Sequence, residues 1–167
     1  MMTPRDLVWH ADAILFAQIP APDVCKRRAV SAAYYALFNA LTSSAADASG
    51  KDAPEALRHK LRRTFGHNEV KKVCAAYTAV DINTLRAYSF LDRPVSDELT
   101  FIAKGFVNLL DQRERADYDL LDELTLSEAA SHVRIATQCV DLWDLIKDGI
   151  EAQTFLVVLL LMGRRRG

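Results

Sequence analysis

Residues 27–41 read "RRAVSAAYYALFNAL". Val30, Ala33, Tyr34, Leu37, Phe38 and Leu41 recur there at i, i+3, i+4, i+7, i+8 and i+11, a wide apolar face at helical period. At 100° per residue, Arg28, Ser31, Tyr35, Asn39 and Thr42 fall on a second, polar stripe away from that face. An arginine, two hydroxyls, a phenol and an amide in line can hold a phosphate or a base edge. They can equally form a solvated flank whose polar groups bond one another.

Outward from this helix the same period recurs. Upstream, Thr3-Pro4 pairs an N-cap with proline at the first helical position and opens a helix running to about Gln18. "IPAPD" (19–23) breaks it, and Pro22 with Asp23 starts the quoted helix. Downstream, "SSAADASGKDA" (43–53) is small and polar and reads as a loop, after which Pro54 opens a third helix through about Phe65. From Glu69 one helix is expected to Tyr77, then a looser segment to Arg93. Ser96 with Asp97 and Glu98 starts a long helix whose Leu99, Ile102, Ala103, Phe106, Leu109 and Leu110 keep helical spacing. Thr125 and Glu128 form a capping box for a helix carrying Val133, Ala136, Val140 and Trp143, ending near Asp148-Gly149. No segment alternates with period two. These elements predict an all-α, up-down helical bundle of four to five main helices in a single domain, 1–167.

Composition narrows the function classes. The chain has 167 residues and a net charge of -1, so bulk charge favours neither nucleic acid nor a membrane, and an anion site must come from local clustering. Cys25, Cys74 and Cys139 lack zinc-ligand spacing and read as small buried apolar residues. The N-terminus lacks a secretory pattern, so a cytoplasmic protein is expected. "FLVVLLLM" (155–162) falls far short of the ~20 apolar residues of a spanning helix. Residues 150–167 therefore read as a short buried or interface helix with a basic tail, and no membrane partner is expected. No phosphate-loop, dinucleotide, nucleophile-elbow or zinc-protease motif occurs, and no metal or cofactor is expected. "KLRRTF" (60–65) with Lys71-Lys72 is a modest basic stretch that could follow a phosphate backbone or form a solvated face.

On the long helix, Arg113 and Asp117 stand at i, i+4 and can pair, while Arg115 points elsewhere. Such a pair is surface decoration unless it lies in a cleft facing Arg28 and Asn39, where it would complete a small polar site.

"RRAVSAAYYALFNAL" resembles the early-helix signature of HEPN-domain proteins, a basic or polar entry before an A-Y-Y-A-x-F-x-A core. "RERADYD" (113–119) resembles the R-x-x-A-D-Y element of small single-domain bacterial HEPN proteins. "LRHKLRRTFGHNEV" (57–70) and "EAASHVRIATQCVDLWDLI" fall where those proteins have a His/Phe/Gly bend and a closing helix, so the similarity spans roughly residues 5–148. The resemblance implies a helical bundle that dimerises through helix faces, with RNA cleavage or RNA binding as its function, often beside a nucleotidyltransferase antitoxin. Nuclease members use R-x4–6-H, with arginine stabilising phosphate charge and histidine moving a proton. The matching place here reads Arg113-x4-Tyr118, and Asn39 stands where relatives commonly place a histidine. An unperturbed tyrosine titrates near pH 10 and is a poor base at neutral pH. Arg5 to His10 and Arg62 to His67 also fit R-x4-H, the second as a reserve candidate.

The expectation is thus a homodimeric HEPN protein that binds RNA or a nucleotide-handling partner through a degenerate nuclease motif. Arg113, Asp117 and Tyr118 stand at its catalytic position, and Arg28, Ser31, Tyr35 and Asn39 form its nucleic-acid wall. The alternatives are an active metal-independent ribonuclease and a pure protein-interaction module.

Overall fold

Alanine, leucine and the paucity of glycine and proline favour helices, and local caps decide where each begins. The computed structural model describes residues 2–17, 21–50, 52–78, 95–119 and 121–162. Among these it forms an all-α helical bundle of seven helices, with no strand. They are α1 (Pro4–Leu15), α2 (Pro22–Ala48), α3 (Glu55–Arg62), α4 (His67–Thr78), α5 (Asp97–Tyr118), α6 (Leu126–Ile146) and α7 (Ile150–Met162).

The starts follow the sequence signals. Thr3 caps α1 reciprocally with Asp6: the Thr3 hydroxyl accepts from the Asp6 amide at 3.2 Å, and Asp6 Oδ2 accepts from the Thr3 amide at 2.7 Å. That fixed geometry holds the Asp6 carboxyl below its usual range, chiefly through the Thr3 backbone bond. Thr125 and Glu128 close the equivalent box at α6, at 2.8 and 3.1 Å. Ser96 Oγ accepts from the Leu99 amide at the start of α5.

Three boundaries differ from expectation, and one is the end of α3, at Arg62 instead of about Phe65. Helix α1 stops at Leu15, with Phe16 as its C-cap. Helix α2 does not give way to a loop at 43 but continues to Ala48, so the predicted loop at 43–53 is half helix. The reason is burial. Ala45 and Ala46 are fully buried and extend the apolar face, and Ser44 Oγ accepts a 2.9 Å bond from the buried Trp143 indole. Small residues that compose a loop elsewhere let a second helix approach closely here. The looser segment expected after Tyr77 lies outside the described residues, as does the basic tail.

The chain packs as two compact units. The first comprises Met1–Asn39 and Gly105–Asp141. Its core centres on Tyr34, whose ring lies 5.6 Å from Phe106 and 5.9 Å from Phe38, centroid to centroid. Gly105 lets α5 approach α6, because a Cβ there would stand 2.4 Å from Cys139 Sγ. Burial pushes the Cys139 thiol up to about 12, so it serves as packing. All three cysteines are buried.

The second unit comprises Ala40–Lys104 and Leu142–Gly167. In it α4 packs on α7, with the Tyr77 ring edge-on to Phe155 at 4.9 Å and Trp143 edge-on to Phe155 at 6.0 Å. Ala152, Phe155, Leu156, Val158 and Leu159 of α7 are buried, while Ile150, Val157, Leu161 and Met162 remain exposed. No described helix is long and apolar enough to cross a membrane.

Candidate functional site

The adjacent tyrosines of α2 point 100° apart, and this splits core from site. Tyr34 is fully buried, and Tyr35 stacks edge-on against it at 5.2 Å and turns toward α5. There the Arg113 guanidinium lies 5.8 Å from the centre of the Tyr35 ring and 5.4 Å from that of Tyr118. Its Nη2 donates to the Tyr35 hydroxyl at 3.4 Å. The predicted i, i+4 pair forms, with Arg113 Nε 2.8 Å from Asp117 Oδ2. That N–H is not aimed at the oxygen, so the contact is an ion pair rather than an aligned hydrogen bond. Ser31, itself buried, donates its hydroxyl to Asp117 Oδ1 at 2.6 Å and fixes the carboxylate.

These contacts make a cation with two aromatic neighbours and one carboxylate. The Arg113 and Asp117 side chains are only 17% and 24% exposed, whereas Tyr118 is 74% exposed. Burial works against the Arg113 charge, but Tyr35, Asp117 and Tyr118 outweigh it and raise its pKa, so Arg113 remains a cation. An arginine flanked by rings is weakly hydrated and suited to stacking and to phosphate oxygens. The Tyr118 ring stands exposed to solvent beside that cation.

Five of the seven residues expected from sequence therefore come together: Ser31, Tyr35, Arg113, Asp117 and Tyr118. The other two do not join them. Asn39 Nδ2 donates to the Tyr35 carbonyl at 2.8 Å, one turn back on its own helix, which is a common alternative for a short amide in a helix. Arg28 is exposed at the entry of α2 and makes no bond to the cluster. Thr42, on the same stripe, is 1% exposed, so the stripe is no solvated flank at that end.

The neighbouring Arg27 was not legible as a functional residue, yet its role is well defined. Its Nη1 donates to the carbonyls of Ala116 (3.0 Å) and Asp119 (2.8 Å), and its Nη2 to that of Asp122 (2.5 Å). It thus closes the C-terminus of α5, where carbonyls lack helical partners. Arg115 points to the other side of α5, pairs with the Asp122 carboxylate and donates to the Glu123 carbonyl at 3.3 Å. A cleft of about 320 Å³ opens beside this clamp, lined by Asp23, Lys26, Arg27 and residues 121–125. Its cations are already engaged, since Lys26 pairs with Asp23 at 2.6 Å. His132 also stands on this side, within reach of Glu128 and Arg115, and its buried Nδ1 has no hydrogen-bond partner among the described residues.

The reserve R-x4-H spacings are occupied otherwise. Arg5 pairs with Asp141 at 2.9 Å. Arg62 sits 3.3 Å from Glu55 and 3.5 Å from Asp47, and Arg58 shares both carboxylates. Arg62, one of the two arginines in the basic stretch, is thus already neutralised, as is Arg58 just ahead of it. Among the described residues no group of three or more His, Cys, Asp or Glu could hold a metal ion. No family model, curated protein or solved structure matches the chain.

Proposed function

We propose that the protein is a HEPN-like homodimer that binds RNA without cutting it, through Arg113 and Tyr118. The observation that supports this reading is the exposed Tyr118 ring set against the ring-flanked Arg113 cation. Base–aromatic stacking contributes about 1–3 kcal/mol per base, and arginine adds a cation–π and phosphate contact. What the cluster lacks is a proton carrier. No histidine contacts Arg113 among the described residues. His132 neighbours Arg115 instead, and Arg115 lies two residues on, some 200° round the helix. Asp117 is engaged by both Ser31 and Arg113. A nucleotidyltransferase antitoxin as partner belongs to the same proposal and rests on the resemblance of "RRAVSAAYYALFNAL" and "RERADYD" alone, and a cytoplasmic location on the lack of a secretory pattern at the N-terminus.

The test is RNA incubated with purified protein in EDTA, read by gel for cleavage and by fluorescence anisotropy for binding. Intact but bound RNA is expected, with binding weakened in Arg113→Ala and in Tyr118→Leu and retained in Tyr118→Phe. Cleavage that disappears in Arg113→Ala would make the protein a metal-independent ribonuclease. Absence of binding would leave an interaction module.

A further inference from the structure

The Asp117 carboxylate is anchored at one oxygen and open at the other. Oδ1 accepts the hydroxyl of the buried Ser31 at 2.6 Å. Ser31 stands on α2 and Asp117 on α5, so this bond holds the carboxylate in one orientation between two helices. Oδ2 lies 2.8 Å from Arg113 Nε, but that N–H is not aimed at it. No other hydrogen bond to Asp117 forms among the described residues. A carboxylate offers about four lone-pair sites, so most of its acceptor capacity is unspent. The side chain is partly exposed, and a ligand can reach it.

The chemistry of this open acceptor differs from that of its neighbour. A phosphate oxygen suits the Arg113 guanidinium and is repelled by a carboxylate. No group of three or more candidate metal ligands occurs among the described residues. The complement of Asp117 is therefore an N–H donor, and the bases of RNA differ in the donors on their pairing edges. Uracil sets one ring N–H between two carbonyls, which a carboxylate repels. Adenine and cytosine each carry an amino group beside a ring nitrogen that is itself an acceptor. Guanine alone sets a ring N–H and an amino group side by side. Two parallel donors match a carboxylate as the fork of arginine does.

We propose that Asp117 is the specificity-determining residue of the site and selects guanine, accepting hydrogen bonds from its N1–H and its 2-amino group. Ser31 is a positioning residue that acts through Asp117. The inference rests on the RNA-binding reading above and refines it: Arg113 and Tyr118 supply affinity, and Asp117 supplies the choice of base. Tyr118 follows Asp117 in the chain, and both neighbour Arg113, so ring and carboxylate are offered to the same nucleotide.

The experiment is fluorescence anisotropy with the full chain and a short oligouridylate carrying one central guanosine, adenosine, cytidine or inosine, the last lacking the 2-amino group. The guanosine oligonucleotide should bind about tenfold tighter than oligouridylate alone, with inosine between them. Asp117→Asn is close in shape but presents one acceptor and one donor in place of two acceptors. It should bind the guanosine and uridine oligonucleotides alike, with unchanged circular dichroism. The inosine comparison uses the wild type only, so it decides the matter even if Asp117→Asn fails to fold: inosine bound as tightly as guanosine overturns the inference. So does a guanosine preference that persists in Asp117→Asn. Equal affinity for every oligonucleotide overturns the choice of base and leaves RNA binding standing, whereas failure of all of them to bind overturns both.

Discussion

Arg113 and Arg115 stand two residues apart on one helix and have opposite surroundings. Arg115 is held by the Asp122 carboxylate and the Glu123 carbonyl, and Arg27 nearby is spent on three further carbonyls. Arg113 meets two aromatic rings, one phenol and a single carboxylate. A guanidinium saturated by oxygens ties the chain down, and one flanked by rings keeps capacity for a ligand. The same distinction separates Arg113 from Arg58 and Arg62, which share Asp47 and Glu55. Density of arginine in the sequence is therefore a poor guide to function; what surrounds each arginine decides it.

The largest expected effect erases the contrast. Both arginines ride on α5, whose seat on α6 requires Gly105. Gly105→Val would drive a side chain into Cys139 Sγ and toward Ile135, at 2.4 and 3.6 Å from its Cβ. It should destabilise the protein by about 3 kcal/mol in urea unfolding. Cys139→Ala in that background should recover part of the loss, a coupling that two independent sites would not show.

The next effect separates the two sides. Arg27→Ala removes three charge-assisted bonds from the end of α5 and should cost about 2 kcal/mol of stability. Arg27→Lys should recover little, because an ammonium cannot reproduce the fork. RNA affinity of the folded variant should be unchanged. Arg113→Ala should do the reverse. It should lower RNA affinity about tenfold and cost under ~1 kcal/mol of stability, as expected for a partly exposed ion pair. If Arg113→Ala instead unfolds the protein while Arg27→Ala abolishes binding, the roles assigned to the two sides are interchanged.

Legibility in the sequence followed locality. Thr3-Pro4, Pro22-Asp23, Ser96 and Thr125–Glu128 act within one turn of the backbone, and each marks a real helix start. Ser31, Tyr35, Arg113 and Asp117 were legible because helical period alone places them on stripes, and helix pairing then joins the stripes. The tail of α2 was not legible. Its residues 43–48 look like a loop by composition and are made helix by burial and by a tryptophan ninety-nine positions away. Asn39 misled for a different reason. Spacing fixes where its Cβ points, whereas the amide chose a carbonyl on its own helix. Arg27 was hidden because the carbonyls it binds become available only where α5 ends.

The smallest effect places the pH response on the clamp side alone. His132 is half-buried; burial lowers its pKa below the ordinary 6.5, Glu128 opposes that and Arg115 adds to it. The unfolded chain therefore binds a proton on His132 more readily than the folded one does. Stability is fully present above pH 6.5 and declines as pH falls through that value toward the lower folded-state pKa. A slight lowering of the melting temperature on acidification across this window is expected, and His132→Gln should flatten it. The contact of Arg113 with Tyr118 has no such dependence, because arginine keeps its charge across the window. RNA affinity measured on the folded protein should consequently follow the phosphate and salt terms and ignore the His132 substitution. A pH step in RNA binding that vanishes in His132→Gln would join the two sides of α5 into one site and return a proton carrier to it.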